Sequence, residues 1–177
     1  MRSVHRSVLN TILQISPSPE ALLDVGSGNG AFTRVLAAYL PQTSVTALDL
    51  NARMRFTVSD RIRFVSGSIA EAPFESGSFD VVTATLSLHH WNDKEMALSE
   101  ISRIMKDGGH LIIGDPLIKG WLENRILGWL VQRLDGGRFM TSEEFIRSAK
   151  QAGFTSIEVF DVPQSMKSLF LITAVKK

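Results

Sequence analysis

The chain has 177 residues, a formal net charge of +1, 44% hydrophobic and 21% charged residues, which suits one globular domain and gives no whole-molecule pull toward nucleic acid or an anionic membrane. It contains no cysteine, so disulfides, thiolate nucleophiles and cysteine metal sites are excluded. No apolar run reaches the roughly 18 residues of a membrane span, and the start lacks a signal peptide's continuous apolar stretch, so a cytoplasmic location is expected.

Val4, Val8, Leu9, Ile12 and Leu13 recur at helical spacing. They predict a short amphipathic helix within residues 1–16, ended by Ser16-Pro17-Ser18-Pro19. Ala21 to Val25 is an apolar run entering a glycine-rich turn. Ala31 to Leu40 predicts a helix with Phe32, Val35, Leu36 and Tyr39 on one face and Pro41 as its stop. Ser44 to Leu48 is a second strand ending at Asp49, and Asn51 to Val58 a short helix. Ile62 to Val65 and Phe79 to Ala84 are the third and fourth strands. Asp93 to Met105 is a helix with Met96, Ile101 and Ile104 on its apolar side, closed by Gly108-Gly109 before a fifth strand, His110 to Gly114.

The last third differs. Thr141 with Glu144 forms a capping box for a helix ending near Gly153. Ser156 to Phe160 and Leu169 to Val175 read as strands joined around Pro163, with no room for a helix, so they should pair antiparallel. Alternating strands and helices imply a doubly wound parallel sheet. The expected fold is therefore α/β, three layers, about seven strands, mostly parallel with an antiparallel C-terminal hairpin.

The strongest local signal is Leu23-Asp24-Val25-Gly26-Ser27-Gly28-Asn29-Gly30. Glycines let the backbone turn sharply and let a ligand approach closely. The turn opens a helix, whose free N–H groups favour negative ligand atoms. Gly26-x-Gly28-x-x-Ala31 satisfies the relaxed dinucleotide fingerprint, and the same turn can exist without a ligand. Asp24 points elsewhere than a dinucleotide: a carboxylate suits a ligand's ammonium group and repels a pyrophosphate. Asp49, about 20 residues on, is placed to accept from both ribose hydroxyls or to cap the helix after it.

Further blocks follow in order: Val45-Thr46-Ala47-Leu48-Asp49, Pro73-Phe74-Glu75-Ser76-Gly77-Ser78-Phe79-Asp80-Val81-Val82, Leu88-His89-His90, and Glu100-Ile101-Ser102-Arg103-Ile104-Met105-Lys106-Asp107-Gly108-Gly109. With the glycine turn, these resemble the class I S-adenosylmethionine-dependent methyltransferase superfamily, of the small-molecule, ubiquinone/menaquinone-biosynthesis type. The resemblance runs roughly from Ala21 to Asp115 and implies a Rossmann-like fold.

It further implies S-adenosyl-L-methionine as cofactor, leaving S-adenosyl-L-homocysteine as product. Asp24, Gly26, Ser27, Gly28 and Gly30 would line the methionine and ribose parts. Asp49 would take the ribose diol, Leu50 would pack on adenine, Ser68 and Ile69 would meet its edge, and Ala84 and Thr85 would lie at the methionine end. Methyl transfer itself needs mainly alignment, because the sulfonium already activates the carbon. His89 and His90 are the base candidates if the acceptor must lose a proton, or one of them caps or packs against Trp91. Asp115 is a further polar candidate, or a turn residue before Pro116.

Residues 116–140 lie where such enzymes cover the substrate. Ile126, Leu130 and Leu134 share a helical face, with Leu127 and Val131 beside it and Trp121 and Trp129 widening it. That face suits packing on the sheet, a lid hinged at Gly136-Gly137 over an apolar acceptor, or a homodimer contact. Ala84-Thr85-Leu86-Ser87 lacks the Asn/Asp-Pro-Pro-Tyr motif of methylases of planar exocyclic nitrogens. The missing cysteine excludes cytosine C5 chemistry, and no metal-ligand cluster stands out. The expected partner is a small-molecule acceptor rather than nucleic acid. A non-catalytic cofactor-binding protein and a nicotinamide-dependent oxidoreductase are the rival readings.

The family usually has Gly-Asp-Ala after the third strand, with the aspartate on the adenine amino group; here it reads Gly67-Ser68-Ile69. A neutral hydroxyl accepts more weakly than a carboxylate. Ser68→Asp is therefore expected to tighten S-adenosylmethionine binding; a titration with no gain in affinity would refute this.

Overall fold

The computed structural model describes residues 2–51, 61–117, 137–162 and 169–177. The described elements are α1 (Ser3–Ile15), β1 (Ala21–Val25), α2 (Ala31–Tyr39), β2 (Ser44–Asp49), β3 (Ile62–Ser66), β4 (Phe79–Thr85), α3 (Lys94–Ile104), β5 (Met105–Pro116), α4 (Ser142–Gln151), β6 (Phe154–Asp161) and β7 (Leu169–Lys176), with short 3-10 turns at Ile69–Glu71 and Leu88–His90. The strands form a seven-stranded sheet in the order β3-β2-β1-β4-β5-β7-β6. Neighbours from β3 to β5 pair parallel, and β7 runs antiparallel to both β5 and β6. The expected α/β architecture with an antiparallel end is the one observed.

Side chains alternate across a strand, so each central strand feeds two cores. Leu22, Val45, Val81 and Ile112 face Val8, Leu9 and Ile12 of α1 and Phe32, Leu36 and Ala37 of α2. Leu23, Val25, Leu48, Val82, Ala84, Leu111 and Ile113 face Ala97, Leu98, Ile101 and Ile104 of α3 and Phe145 and Ala149 of α4. This makes three layers. Each buried aliphatic side chain stabilises the fold by about 1.5–3 kcal/mol.

The strand starts are pinned electrostatically. Asp80 Oδ2 accepts from the Ala21 N–H at 2.8 Å, and Lys106 Nζ bridges Asp80 Oδ1 at 2.8 Å and Glu20 Oε2 at 3.1 Å. That end is thereby closed with polar contacts, which leaves the carboxyl ends for a site.

Some details depart from the sequence reading. Met96 is 52% exposed and Tyr39 59% exposed, so neither joins an apolar face. The helical spacing places Ala97 and Leu98 inward instead, and in α2 Thr33 and Ala37. Gly108-Gly109 do not close α3. The helix stops at Ile104, and Met105 already pairs with Phe79, with a register shift before Val81 meets His110. The reason is packing: Met105 is fully buried, and continued helix would remove it from the core. The Asn51–Val58 helix beyond Asn51, the Pro163 connection and residues 118–136 of the expected covering segment lie outside the described residues.

The α1 helix packs on β5 at a position with no room for a side chain. A Cβ on Gly114 would lie 2.5 Å from Val4 Cγ2 and 2.9 Å from Val8 Cγ2. Gly114→Ala is expected to destabilise the fold by about 1–3 kcal/mol through overpacking. A urea midpoint equal to that of the parent chain would contradict this packing.

Candidate functional site

The strand order reverses at β1, which has β2 on one side and β4 on the other. In open α/β sheets ligands bind in the crevice beyond the carboxyl ends at such a point. Val25, the last residue of β1, pairs with Leu48 and Ala84. Asp49 and Thr85 therefore stand one residue beyond, on opposite sides of the glycine turn.

Asp24 lies beneath that turn, 2% exposed. Thr33 Oγ1, in the first turn of α2, donates to Asp24 Oδ2 at 2.6 Å. Burial pushes the Asp24 carboxyl up to about 7, the Thr33 bond opposes the rise, and the Asp49 charge adds to it. An adjacent cation would reverse this shift, so the carboxylate pair favours a positively charged ligand group.

The turn is tied to β2. The Gly26 and Ser27 N–H groups donate to Leu48 O at 2.8 and 3.2 Å. The Gly28 N–H donates to Asp49 Oδ2 at 2.8 Å, and the Asn51 N–H to Asp49 Oδ1 at 2.9 Å. Asp49 thus makes the local capping contact, and each of its oxygens keeps a second lone pair for a ligand. Gly26 has φ +69°, and a Cβ there would fall 2.3 Å from Ser87 Cβ, so two constraints require glycine. Asn29 Oδ1 accepts from the Ala31 N–H at 3.1 Å and covers one free donor at the start of α2.

Two buried hydroxyls at this site, Ser27 Oγ and Thr85 Oγ1, have no hydrogen-bond partner among the described residues. Buried polar atoms are rarely left so, and both fit a ligand that supplies polar groups. Leu50, beside Asp49, is 67% exposed and offers an apolar surface. Ser68 caps the turn Ile69–Glu71, its Oγ accepting from the Ala70 N–H at 3.2 Å. Its hydroxyl proton is still available to donate. The Gly67 N–H donates to Asp49 O at 3.0 Å, which brings the end of β3 to the same crevice.

Past β4 the two candidate histidines separate. His89 is 6% exposed, with Nδ1 2.7 Å from Asp115 Oδ1. Its ring stacks on Phe139 at 5.1 Å and lies tilted against His90 at 4.0 Å. His90 is exposed. Asp115 sits within β5 rather than in a turn, fully buried, with Oδ2 accepting from the Leu88 N–H at 3.0 Å. Burial pushes its carboxyl up, while the bonds from His89 and the Leu88 and Ser87 backbone oppose the rise. Among the described residues no group of three or more His, Cys, Asp or Glu is arranged to hold a metal ion.

The sequence reading missed Thr33 and Ser87, whose partners lie on other elements. Arg103 pairs with Glu100 at 2.9 Å and donates to Ala72 O at 3.1 Å and Phe74 O at 2.9 Å, clamping the segment after the Ser68 turn onto α3.

Asp24 makes stability depend on pH in a defined direction. Its folded pKa of about 7 exceeds the ordinary 3.8, so the folded state holds the proton more tightly. That advantage is full below the lower value and is lost as pH rises through about 7. Asp24→Asn should flatten the slope and make the ligand-free protein more stable than its parent at about pH 8. Urea unfolding of both chains at about pH 5 and pH 8 checks this, and equal slopes would refute it.

A sequence profile described as a methyltransferase domain matches residues 23–113. Malonyl-[acyl-carrier protein] O-methyltransferase of Geobacter sulfurreducens is 30% identical over 174 residues, 90% of this chain and 65% of that protein. Demethylmenaquinone methyltransferase of Thermotoga maritima is 30% identical over 111 residues, 61% of this chain and 48% of that protein. The chain thus spans roughly half to two thirds of the length of these curated relatives. The crystal structure of the YcgJ protein from Bacillus subtilis shares the fold with TM-score 0.81 at 16% identity, covering 98% of this chain and 99% of that one. The matched region runs from within β1 to β5 and contains the glycine turn, Asp49, Ser68, Thr85 and His89 described above. The chain belongs to the methyltransferase-domain family.

Proposed function

We propose that this chain is an S-adenosylmethionine-dependent methyltransferase that acts on a small-molecule acceptor by in-line displacement. The observation that carries the reading is the cradle around the glycine turn. There a buried carboxylate, Asp24, and a second at Asp49 flank backbone N–H groups and the unpartnered hydroxyls of Ser27 and Thr85. These residues fit the cofactor. Asp24 would hold its ammonium group, and Asp49 its ribose diol. Leu50, Ser68 and Ile69 would meet the adenine, with Gly26, Gly28 and Gly30 allowing close approach. A dinucleotide's pyrophosphate would instead meet the Asp24 and Asp49 charges.

When bound, the cofactor supplies a methyl group already activated by its sulfonium. The protein's own task is to orient the two reactants and exclude water, a contribution that can be large without any covalent step. His90, which is exposed, would take a proton from an acceptor that must lose one. His89, its Nδ1 held by Asp115, is the second candidate for that role. Relatives named for demethylmenaquinone and for an acyl-carrier-bound malonyl group support an organic acceptor group rather than nucleic acid.

Calorimetric titration with S-adenosylmethionine and S-adenosylhomocysteine is expected to give dissociation constants on the order of micromolar. Asp49→Ala should weaken both by about tenfold or more. Absence of binding by either compound to the parent chain would sink the reading.

A further inference from the structure

The backbone after β4 is held in an unusual conformation by a residue from another strand. Leu86 has φ +55°, a left-handed conformation costly for a branched side chain. Its N–H donates to Gly114 O at 2.8 Å. Next door, the Leu88 N–H and His89 Nδ1 both reach the Asp115 carboxylate, at 3.0 and 2.7 Å, and the Ser87 N–H is turned toward it. Ser87 in turn bears on the glycine turn. Its Oγ donates to Val25 O at 2.9 Å, and its Cβ fills the space that requires glycine at position 26. The turn continues through the His90 N–H to Ser87 O at 3.0 Å and the Arg138 N–H to His89 O at 2.8 Å.

A carboxylate gathering several donors in a buried setting makes strong, directional bonds. Here it links the end of β5 to the end of β1 through Ser87. We propose that Asp115 is a positioning residue: its buried carboxylate fixes residues 86–89 so that Ser87 holds the glycine turn in its ligand-binding shape. This rests on the cofactor reading above and adds Asp115 to it as a residue that acts through Ser87.

The test uses the full chain with Asp115→Asn, which keeps the shape but replaces a pure acceptor by a group that also donates. Backbone amide resonances of Gly26, Ser27 and Gly28 in the ligand-free protein report the positioning directly. They are expected to move, and the affinity for S-adenosylhomocysteine is expected to fall about tenfold. A merely local structural role would lower the melting temperature, leave those three resonances in place and keep affinity within about twofold; that result overturns the proposal. If Asp115→Asn does not fold, Ser87→Ala breaks the same linkage at its other end. It should move the same resonances, and their constancy would overturn the proposal equally. If the parent chain binds no S-adenosylhomocysteine, the cofactor reading fails, while the resonance shifts still decide the positioning.

Discussion

A parallel strand buried on both faces has only its ends free for chemistry. In this protein β1 is such a strand, with Leu22 and Leu23 wholly buried on opposite faces. Its start is fixed by Asp80, and its far end opens into the glycine turn. Because β2 and β4 flank it, their last residues, Asp49 and Thr85, are delivered to the two sides of the turn by register alone. The site is thus a consequence of sheet topology before any side chain is chosen.

The chemistry chosen at that place is anionic. Burial disfavours the charged form of Asp24, and the nearby Asp49 charge adds to that cost. A fold seeking only stability would replace Asp24 with an apolar or amide side chain. Keeping a buried carboxylate is the kind of local cost that structures accept where a ligand compensates it. The unpartnered hydroxyls of Ser27 and Thr85 are a second sign of the same kind.

The opposite wall of the site is built by contacts distant in sequence. Asp115 reaches back to Leu88 and His89, and Ser87 reaches back to Val25. These contacts tie the segment after β4 to the ends of β1 and β5. They also give the two histidines different environments, one buried and braced, the other open to solvent.

Much of this was legible in the sequence because it is periodic or local. Alternating apolar runs specified the strands, and the absence of a helix before Leu169 specified an antiparallel end. The glycine spacing with Asp24 and Asp49 marked the turn, and Thr141 with Glu144 marked a capping box that the structure contains. Less was legible where several local solutions share one pattern. Met96 and Ala97 are neighbours on a helix, and only docking on the sheet decides which is buried. Likewise, two glycines after a helix read as its end until Met105 is seen paired with Phe79. Thr33 as the partner of Asp24, Ser87 against Gly26, and Asp115 beneath His89 were decided by tertiary structure alone. Their partners lie on separate elements, 9, 61 and 26 positions apart along the chain, and no local rule of spacing or propensity reaches across a sheet.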